Sequence, residues 1–420
     1  MSASLPRLKI ITIGFNTRGT GLTRVMHSIM RRLADRHEIH YLGIGYSGEP
    51  EQDRGLTCHP TNLKGGDVFA AFQAKRLIEE IHPDLVFILH DIWMFEYYLR
   101  ILGPFREQLK IACYIPIDGK ITKEAEARHL SQADSVIAYT EFARQQFEQA
   151  FARLRAQDSA VDFPVVEVIP HGVDGERFFP FPELLQNEFA SASRVPAKQQ
   201  VFPELPQAGD SFVVLNASRP DRRKRIDLTI AGFAAFAADK PANVRLCLHH
   251  AIMGEEEEQQ IQTLVQQYGL GERLLLNPLG RGIASDERLN LLYNACDVGI
   301  NTSMGEGWGL VSFEHGAAGA AQIVPDHTAC GDLWQGRAEL IPPVRSFIPH
   351  HSVLEMSEVS AAGVADALES LYRNPQHRQT LSRAAYDAAR NPAYSWDAIA
   401  LQFEALFLRL TRQMTTENAE

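Results

Sequence analysis

The sequence lacks several features that mark specialised classes of protein. Its five cysteines are scattered, odd in number and without C-x-x-C spacing, which argues against a disulfide framework or a zinc site and indicates reduced core residues. No apolar run approaches the roughly 20 residues that span a bilayer, and no signal-peptide core precedes the first apolar strand pattern. These absences predict a soluble, cytoplasmic protein.

Positive charge is also in short supply. The chain carries 41 lysines and arginines against 52 aspartates and glutamates, and the formal net charge of -11 argues against a general nucleic-acid binder. What is present is ordinary for a globular protein, with 45% hydrophobic and 22% charged residues. A length of 420 residues suggests two or three domains.

The amino-terminal half alternates apolar strand patterns with helical patterns, which predicts a doubly wound α/β domain with a parallel sheet. A loop containing Gly19 and Gly21 separates the first strand pattern from a helix with apolar residues at helical spacing. These glycines suit either a tight strand–helix turn or a loop whose backbone comes close to a ligand. The predicted strands are 8–15, 38–45, 85–89, 111–115 and 135–139.

Polar residues follow three of these strands at their carboxyl ends, where the ligands of parallel sheets gather, and Thr140 and Glu141 are the ones after 135–139. His90 comes directly after 85–89, and Asp118 follows 111–115. His90 is therefore a candidate site residue, although a structural histidine is an equally good explanation. Asp118 and Gly119 are also compatible with an ordinary turn.

The middle of the chain contains a predicted domain boundary. A strand pattern leads into the turn H-G-V-D at 171–174, and the stretch 181–210 has four prolines and no clear periodicity. We predict a first domain at 1–180 that is joined by a final helix at 396–414. A linker or surface excursion at 181–210 then leads to a second domain at 211–395.

A basic run from Ser218 to Arg225 follows a predicted strand at 211–217. Basic runs are usually a solvated face or a nucleic-acid patch. This one lies at the carboxyl end of a strand in an otherwise acidic chain, which counts against both explanations. Fixed cations at such a point are suited to a substrate that develops negative charge during reaction.

The most informative stretch is 301–318, with the sequence N-T-S-M-G-E-G-W-G-L-V-S-F-E-H-G-A-A. It joins a short buried strand pattern, a turn with three glycines in five positions, and an Ala-rich helix pattern. Free N–H groups and the positive end of the helix meet there, which suits a phosphate. Glu306 and Glu314 would repel a diphosphate, so they more plausibly bind neutral hydroxyls. A diphosphate with hydroxyl-rich groups on both sides is a nucleotide sugar.

The segment E-G-W-G-L-V-S-F-E resembles the E-x7-E signature of retaining family-4 glycosyltransferases with the GT-B fold. The segment H-G-V-D-G-E-R-F-F-P at 171–180 resembles the one with which these enzymes leave their first domain. The resemblance implies two Rossmann-like, doubly wound domains that face a central cleft, with a C-terminal helix crossing back to the first domain. It also implies transfer of a hexose from an NDP-sugar with retention at the anomeric carbon.

The resemblance further implies roles for individual residues. Arg219 and Lys224 match the basic pair that neutralises the departing diphosphate, while Glu306 would bind the sugar hydroxyls and Glu314 the ribose. Asp118 lies near the point where the family commonly has a histidine beside the transferred sugar, so the chain departs from the pattern there. The remaining residues expected on the donor side are Gly19, Gly21, His90, Leu279, Arg281, Gly307, Trp308, Gly309, Leu310 and Val311. The other arginines of the basic run, Arg222, Arg223 and Arg225, are expected to be peripheral.

We expect neither a metal ion nor another cofactor, because no D-x-D pair follows a strand and the histidines are not at ligand spacing. No carboxylate is clearly placed as a nucleophile, which favours front-face displacement assisted by the leaving diphosphate. Two alternatives stay open: another GT-B chemistry such as an epimerase or phosphorylase, and a non-catalytic nucleotide-sugar-binding protein. The pattern leaves open the nucleotide, the sugar and the oligomeric state. It also does not choose among a small-molecule, glycan or protein acceptor.

Overall fold

The computed structural model describes residues 6–205, 207–250 and 253–417, with side chains as far as residue 412. The chain forms two compact units. The first comprises the chain up to Gly172, His351–Leu354 and the segment from Trp396, and the second comprises Val173–His350 and Glu355–Ser395. The first division falls ahead of the predicted boundary at residue 180, and the predicted linker 181–210 lies within the second unit.

The first unit is built on a sheet whose strands are parallel, except for one short antiparallel edge strand. Its strands are β1 (Lys9–Phe15), β2 (Glu38–Ile44), β3 (Glu51–Asp53), β4 (Leu56–Pro60), β5 (Leu85–Leu89), β6 (Lys110–Ile115), β8 (Ser135–Ala138) and β9 (Val166–Val168), with β7 (Lys120–Ile121) outside this sheet. Their order is β3-β4-β2-β1-β5-β6-β8-β9. The helices are α1 (Gly21–Leu33), α2 (Ala71–Ile81), α3 (Phe95–Leu102) and α4 (Glu141–Gln157).

The strand patterns read from the sequence correspond to the interior of this sheet. In β1 the five residues between Lys9 and Phe15 are buried, as expected of a strand covered on both faces. Helix α1 covers it with Val25, Met26, Ile29, Met30 and Leu33, and begins at the cap residue Thr20. The sequence did not predict β3 and β4, because they are short and their residues are partly exposed.

The second unit contains a parallel sheet in the order β12-β11-β10-β13-β14-β15. Its strands are β10 (Phe212–Asn216), β11 (Val244–Leu248), β12 (Leu274–Leu276), β13 (Val298–Ile300), β14 (Ala321–Pro325) and β15 (Glu339–Ile341). A hairpin follows, with β16 (Arg345–Phe347) antiparallel to β17 (Leu354–Glu358). Helices α5 (Pro182–Gln186), α6 (Val195–Val201), α7 (Ile226–Ala237), α8 (Glu255–Gln267), α9 (Asp286–Ala295), α10 (Leu310–Ala317), α11 (Thr328–Trp334), α12 (Ala361–Arg373) and α13 (Pro375–Ala389) complete it.

The segment 181–210 is folded rather than extended. Arg194, just before α6, is buried and donates to the carbonyl groups of Asn294 and Gly319 at 3.2 and 2.5 Å. Lys198 is also buried, with its ammonium group 2.8 Å from the carboxylate of Asp297. The prolines suggested a linker because periodicity is weak in short helices, whereas buried cations hold the segment to the edge of the sheet.

The last helix, α14 (Trp396–Glu417), belongs to the first unit, as the resemblance implied. The ring of Phe403 lies 5.3 Å from that of Phe87 and 5.0 Å from that of Tyr114, and Trp396 is buried. The carboxylate of Glu404 is 3.0 Å from the ring of His37. No helix within the described ranges is both long and apolar enough to cross a membrane.

Candidate functional site

Two loops meet at the carboxyl edge of the second sheet. Strands β10 and β13 are parallel neighbours, so the basic run after β10 and the glycine-rich turn after β13 emerge side by side. The backbone N–H of Met304 donates to the carbonyl oxygen of Arg223 at 2.8 Å. Topology therefore joins two segments that lie about 80 residues apart in the sequence.

A buried polar network fixes the basic loop. The hydroxyl oxygen of Thr302 lies 3.0 and 2.9 Å from the carbonyl oxygens of Lys224 and Arg225, and 2.8 Å from the hydroxyl of Thr229. The amide of Asn216 donates to Thr229 at 3.0 Å. All three polar side chains are buried, so each hydrogen bond compensates for lost hydration. The network holds the backbone of Lys224 against the end of β13.

Glu306 is the centre of the site. Its Oε1 accepts hydrogen bonds from the ammonium of Lys224 at 2.5 Å, the amide of Asn301 at 3.1 Å and the hydroxyl of Ser303 at 2.9 Å. Its Oε2 lies 3.7 Å from the guanidinium of Arg223. Burial alone would raise the pKa of Glu306, but the two cations and these hydrogen bonds outweigh it and lower the pKa to about 2. The carboxylate is therefore ionised at neutral pH and accepts hydrogen bonds rather than donating them.

One arginine that we expected to be peripheral, Arg223, belongs to this arrangement. Arg223 donates to the carbonyl oxygen of Gly305 as well as facing Glu306. Arg225 forms ion pairs with Asp227 and Glu358 instead, and hydrogen bonding to Asp227 raises its pKa. The prediction was wrong for Arg223, because spacing alone does not show which side chain of the short turn at 222–224 meets Glu306.

The glycine turn ends at Gly309, which has a φ of 90° and precedes the first residue of α10. A side chain would be strained at this φ. Gly307 and the helix start at Leu310 and Val311 follow Glu306 directly, and the first N–H groups of a helix have no partner within it. Trp308 is buried with its ring stacked 4.8 Å from that of Phe313, so its indole packs within the second unit.

Glu314 lies inside α10, and its side chain is buried. The hydroxyl of Tyr293 donates to its Oε2 at 3.1 Å. Nothing in the sequence pointed to Tyr293, because a tyrosine in an ordinary helix has no distinguishing neighbours. The hydrogen bond orients the carboxylate that we predicted to bind a ribose.

Other donor-side candidates of the second unit lie outside the hydrogen bonds and ion pairs given above for Glu306. Arg219 is half exposed, and its ion pair within the described ranges is with Asp221, at 3.8 Å. Leu279 is largely buried in the turn after β12, where Gly280 and Gly282 have positive φ. Arg281 extends into solvent and forms an ion pair with Glu258 at 2.6 Å. The structure thus brings Lys224 and Glu306 into contact, whereas Arg219 and Arg281 make other ion pairs.

The candidates of the first unit occupy the carboxyl edge of its sheet. Gly19 has a φ of 80° in the loop before α1, and Gly21 is the first residue of that helix. His90 is fully buried after β5, and burial lowers its pKa to about 4, so it is neutral at pH 7. Asp118, after β6, is half buried, and burial together with neighbouring charges that include Asp118 raises the pKa of the Tyr139 hydroxyl.

Thr328 is a strained residue that the sequence did not single out. It is β-branched yet adopts a φ of 52°, a conformation that such residues rarely adopt. Its hydroxyl accepts a hydrogen bond from the backbone N–H of Glu306 at 3.2 Å. Strained residues of this kind are concentrated at functional sites. Here the hydrogen bond between Glu306 and Thr328 helps to hold the turn that carries Glu306.

Solved structures with a similar architecture can be superposed on nearly the whole chain. Sucrose-phosphate synthase from Thermosynechococcus elongatus has a TM-score of 0.73 at 19% identity, over 97% of this chain and 100% of that one. HepE of Anabaena, in complex with UDP and glucose, has a TM-score of 0.69 at 15% identity, over 95% and 99%. Trehalose 6-phosphate synthase from Burkholderia multivorans has a TM-score of 0.69 at 16% identity, over 99% of both chains. These similarities establish the fold.

Sequence relatives match a shorter part of the chain. Mannosylfructose-phosphate synthase of Agrobacterium fabrum is 26% identical over 262 residues, which are 61% of this chain and 50% of that protein. The serotype-specific mannosyltransferase WbdA of Escherichia coli is 25% identical over 256 residues, which are 60% of this chain and 28% of that protein. The chain thus spans about half of the first relative and less of the second.

Two parallel-sheet units, with cationic and acidic loops at the carboxyl edge of the second, define a GT-B protein. Residues 197–388 match the model of the family glycosyl transferases group 1. The chain therefore has the GT-B fold, and the match to the group 1 model covers most of its second unit. The fold inferred from the motifs is confirmed, and the group 1 match agrees with the resemblance of the 306–314 segment.

Proposed function

We propose that the protein is a retaining glycosyltransferase that moves a hexose from an NDP-sugar to a hydroxyl of an acceptor. The observation that carries this proposal is the contact of Lys224 with Glu306 at the carboxyl edge of the second sheet. It puts a fixed cation and an ionised hydrogen-bond acceptor side by side, as a sugar diphosphate requires. The UDP and glucose held by HepE are the same kind of ligand.

Different residues bind different parts of the donor. Lys224, Arg223 and Arg219 face the diphosphate and stabilise the charge that develops on it as the bond to the sugar breaks. Oε2 of Glu306 accepts from hydroxyls of the sugar, because its Oε1 is already saturated by Lys224, Asn301 and Ser303. Glu314 binds the ribose, and the N–H groups at the start of α10 bind phosphate oxygens.

The reaction exchanges one bond at the anomeric carbon for another on the same face. The bond between this carbon and the diphosphate oxygen breaks, and the acceptor oxygen forms the new bond. The acceptor proton passes to the departing phosphate. Glu306, with a pKa of about 2, holds no proton to donate at neutral pH and does not act as the acid. Since the arginines and Lys224 supply the positive charge, we propose that turnover is independent of a metal ion.

A donor panel and one double variant test the proposal. We expect one of the UDP-, GDP-, ADP- or dTDP-hexoses to raise the melting temperature, because a ligand that binds only the folded state stabilises it. With that donor, Arg219→Ala/Lys224→Ala should lower kcat by about 10²-fold or more, and EDTA should leave wild-type turnover unchanged. The matched control is Arg373→Ala/Arg383→Ala, which removes two cations with exposed side chains on helices of the second unit. Full activity of the first double variant would refute the assignment.

A further inference from the structure

The first unit exposes three aromatic side chains that the proposed donor site does not use, on segments that follow β4 and β5. Phe72, Trp93 and Tyr97, here called the aromatic patch, are 68%, 50% and 38% exposed. Leu63 and Val68 are exposed beside Phe72 in the sequence. Concentrated apolar exposure of this kind marks a binding site more often than single exposed residues do.

The aromatic patch is held in place by contacts beneath it. The ring of Trp93 meets the rings of Phe69 and His90 edge-on, with centroids 5.7 Å away in each case. The hydroxyl of Tyr98 donates to the carbonyl oxygen of Phe69 at 2.8 Å, which ties the loop before α2 to α3. A surface that is already ordered loses little entropy when a ligand binds.

The location of the aromatic patch also indicates a ligand. The loop that leads to Phe72 follows β4, and Trp93 and Tyr97 follow β5, so these segments leave the sheet at its carboxyl edge. This is where ligands of parallel sheets bind.

A buried carboxylate in the same loop indicates that the ligand also carries hydrogen-bond donors. Asp67 is buried, and its Oδ2 accepts from the backbone N–H of Gln73 at 2.9 Å. Its Oδ1 is also buried, and no donor among the described residues satisfies it. Asp67 lies two residues before Phe69, whose ring is 5.7 Å from that of Trp93, so the carboxylate belongs to the loop that packs against the aromatic patch. A buried acceptor without a partner costs about 1–3 kcal/mol, which a hydroxyl of a ligand would offset directly or through a water.

We propose that the aromatic patch and Asp67 form the acceptor subsite and bind an uncharged, hydroxyl-bearing sugar ring. The apolar C–H face of such a ring packs on aromatic side chains, and its hydroxyls donate to the carboxylate. The charge of Asp67 disfavours a phosphorylated sugar or an anionic lipid headgroup, because like charges repel at short range. This inference rests on the proposed function, since it names the acceptor of the same reaction.

Trp93 provides a direct probe of binding that does not depend on turnover. The other three tryptophans of the chain, Trp308, Trp334 and Trp396, are buried, so a ligand on the aromatic patch changes the emission of Trp93 selectively. We would titrate the full chain with methyl α-mannoside, methyl α-glucoside and maltose, and in parallel with glucose 6-phosphate and phosphatidylglycerol vesicles. We expect a saturable change with at least one of the neutral sugars and a weaker change, or none, with the anionic probes.

Variants separate this subsite from the donor site. Phe72→Ala and Asp67→Asn should each weaken sugar binding by about tenfold, equivalent to roughly 1.4 kcal/mol. Tyr268→Ala is the control, because it also removes an exposed aromatic side chain, 40% exposed, but in the second unit. Lys224→Ala should abolish transfer and leave the response of Trp93 to sugar intact.

The outcomes distinguish the two proposals. If no nucleotide sugar of the panel raises the melting temperature while neutral sugars still change the emission of Trp93, the proposed transferase function is wrong and the sugar-binding site is supported. If transfer occurs but Phe72→Ala and Asp67→Asn keep the wild-type KM for the acceptor, the subsite is wrong. A response to vesicles or sugar phosphates alone, or dimerisation that Phe72→Ala abolishes, would also overturn it.

Discussion

Glu306 shows how one buried carboxylate can be held ionised. Burial disfavours the ionised form, while Lys224, Arg223 and the hydroxyl of Ser303 stabilise it. The stabilising effect is the larger one, so the pKa of Glu306 falls from 4.5 to about 2. The two side chains therefore offer opposite charges to a bound molecule rather than a proton donor and its acceptor. If a sugar diphosphate binds there as proposed, its phosphates and hydroxyls meet partners whose charges are already fixed, which limits reorganisation during reaction.

The low pKa of Glu306 leads to a prediction of how the free energy of unfolding depends on pH. A depressed pKa means that ionised Glu306 stabilises the fold above pH 4.5, and that this contribution is lost as the pH falls toward 2. We expect Glu306→Gln to lower the free energy of unfolding at pH 7 by on the order of 3 kcal/mol. The difference from wild type should stay constant down to about pH 5 and shrink below it. Urea unfolding at several pH values measures this.

The control for that experiment is Glu79→Gln. Glu79 is 55% exposed and faces Lys75 at 3.9 Å, so its removal should change stability little at any pH. A Glu306→Gln difference that does not decline between pH 5 and pH 3 would show that the carboxylate is not held ionised by its neighbours.

At the scale of elements, the site depends on a strand end rather than on a loop alone. Thr302 is buried and ties the basic loop to β13 through Thr229 and two backbone carbonyl groups. Loops carry function when a rigid scaffold positions them. Here the scaffold includes a buried hydroxyl, which places Lys224 within reach of Glu306.

We therefore expect Thr302→Val to impair the site without changing any residue that contacts substrate. The variant keeps the shape but loses the hydroxyl, which should destabilise the fold by about 1–3 kcal/mol and lower kcat for the NDP-sugar that the panel identifies. Thr302→Ser retains the hydroxyl and should retain most of the activity. Wild-type kcat in Thr302→Val would mean that the network stabilises the fold but does not position Lys224.

The sequence predicted elements better than it predicted contacts. Long apolar runs such as β1 and β10 were evident, because strands covered on both faces need them. The segment 181–210 was read as a linker, since nothing in the sequence shows that Arg194 and Lys198 find buried partners near Asp297. Glu306 stood out through its glycines, whereas Arg223 and Tyr293 acquire their neighbours only through the fold.

At the scale of the whole molecule, the chain returns to its first unit with α14. Phe403 lies against Phe87 and Tyr114 of the first sheet, and Arg409 pairs with Glu167 at 2.6 Å. The final helix is therefore part of the core of the first unit rather than an appendage.

Removing this packing should affect one unit selectively. We expect Phe403→Ala to cost about 3–5 kcal/mol by leaving a cavity, and amide exchange to accelerate in β5 and β6 but not in β10 or β13. The control Leu401→Ala, on the exposed side of the same helix, should change stability by no more than about 0.5 kcal/mol. Equal acceleration in both sheets would mean that the units do not unfold separately.

The path of the chain has a practical consequence. It passes from one unit to the other after Gly172, His350, Leu354 and Ser395. No single cut of the polypeptide therefore yields two complete halves, and a fragment ending at Gly172 would lack α14 and the His351–Leu354 piece. An isolated amino-terminal half would have to be rebuilt by grafting the final helix onto it, whereas the carboxy-terminal half needs only a short bridge across residues 351–354.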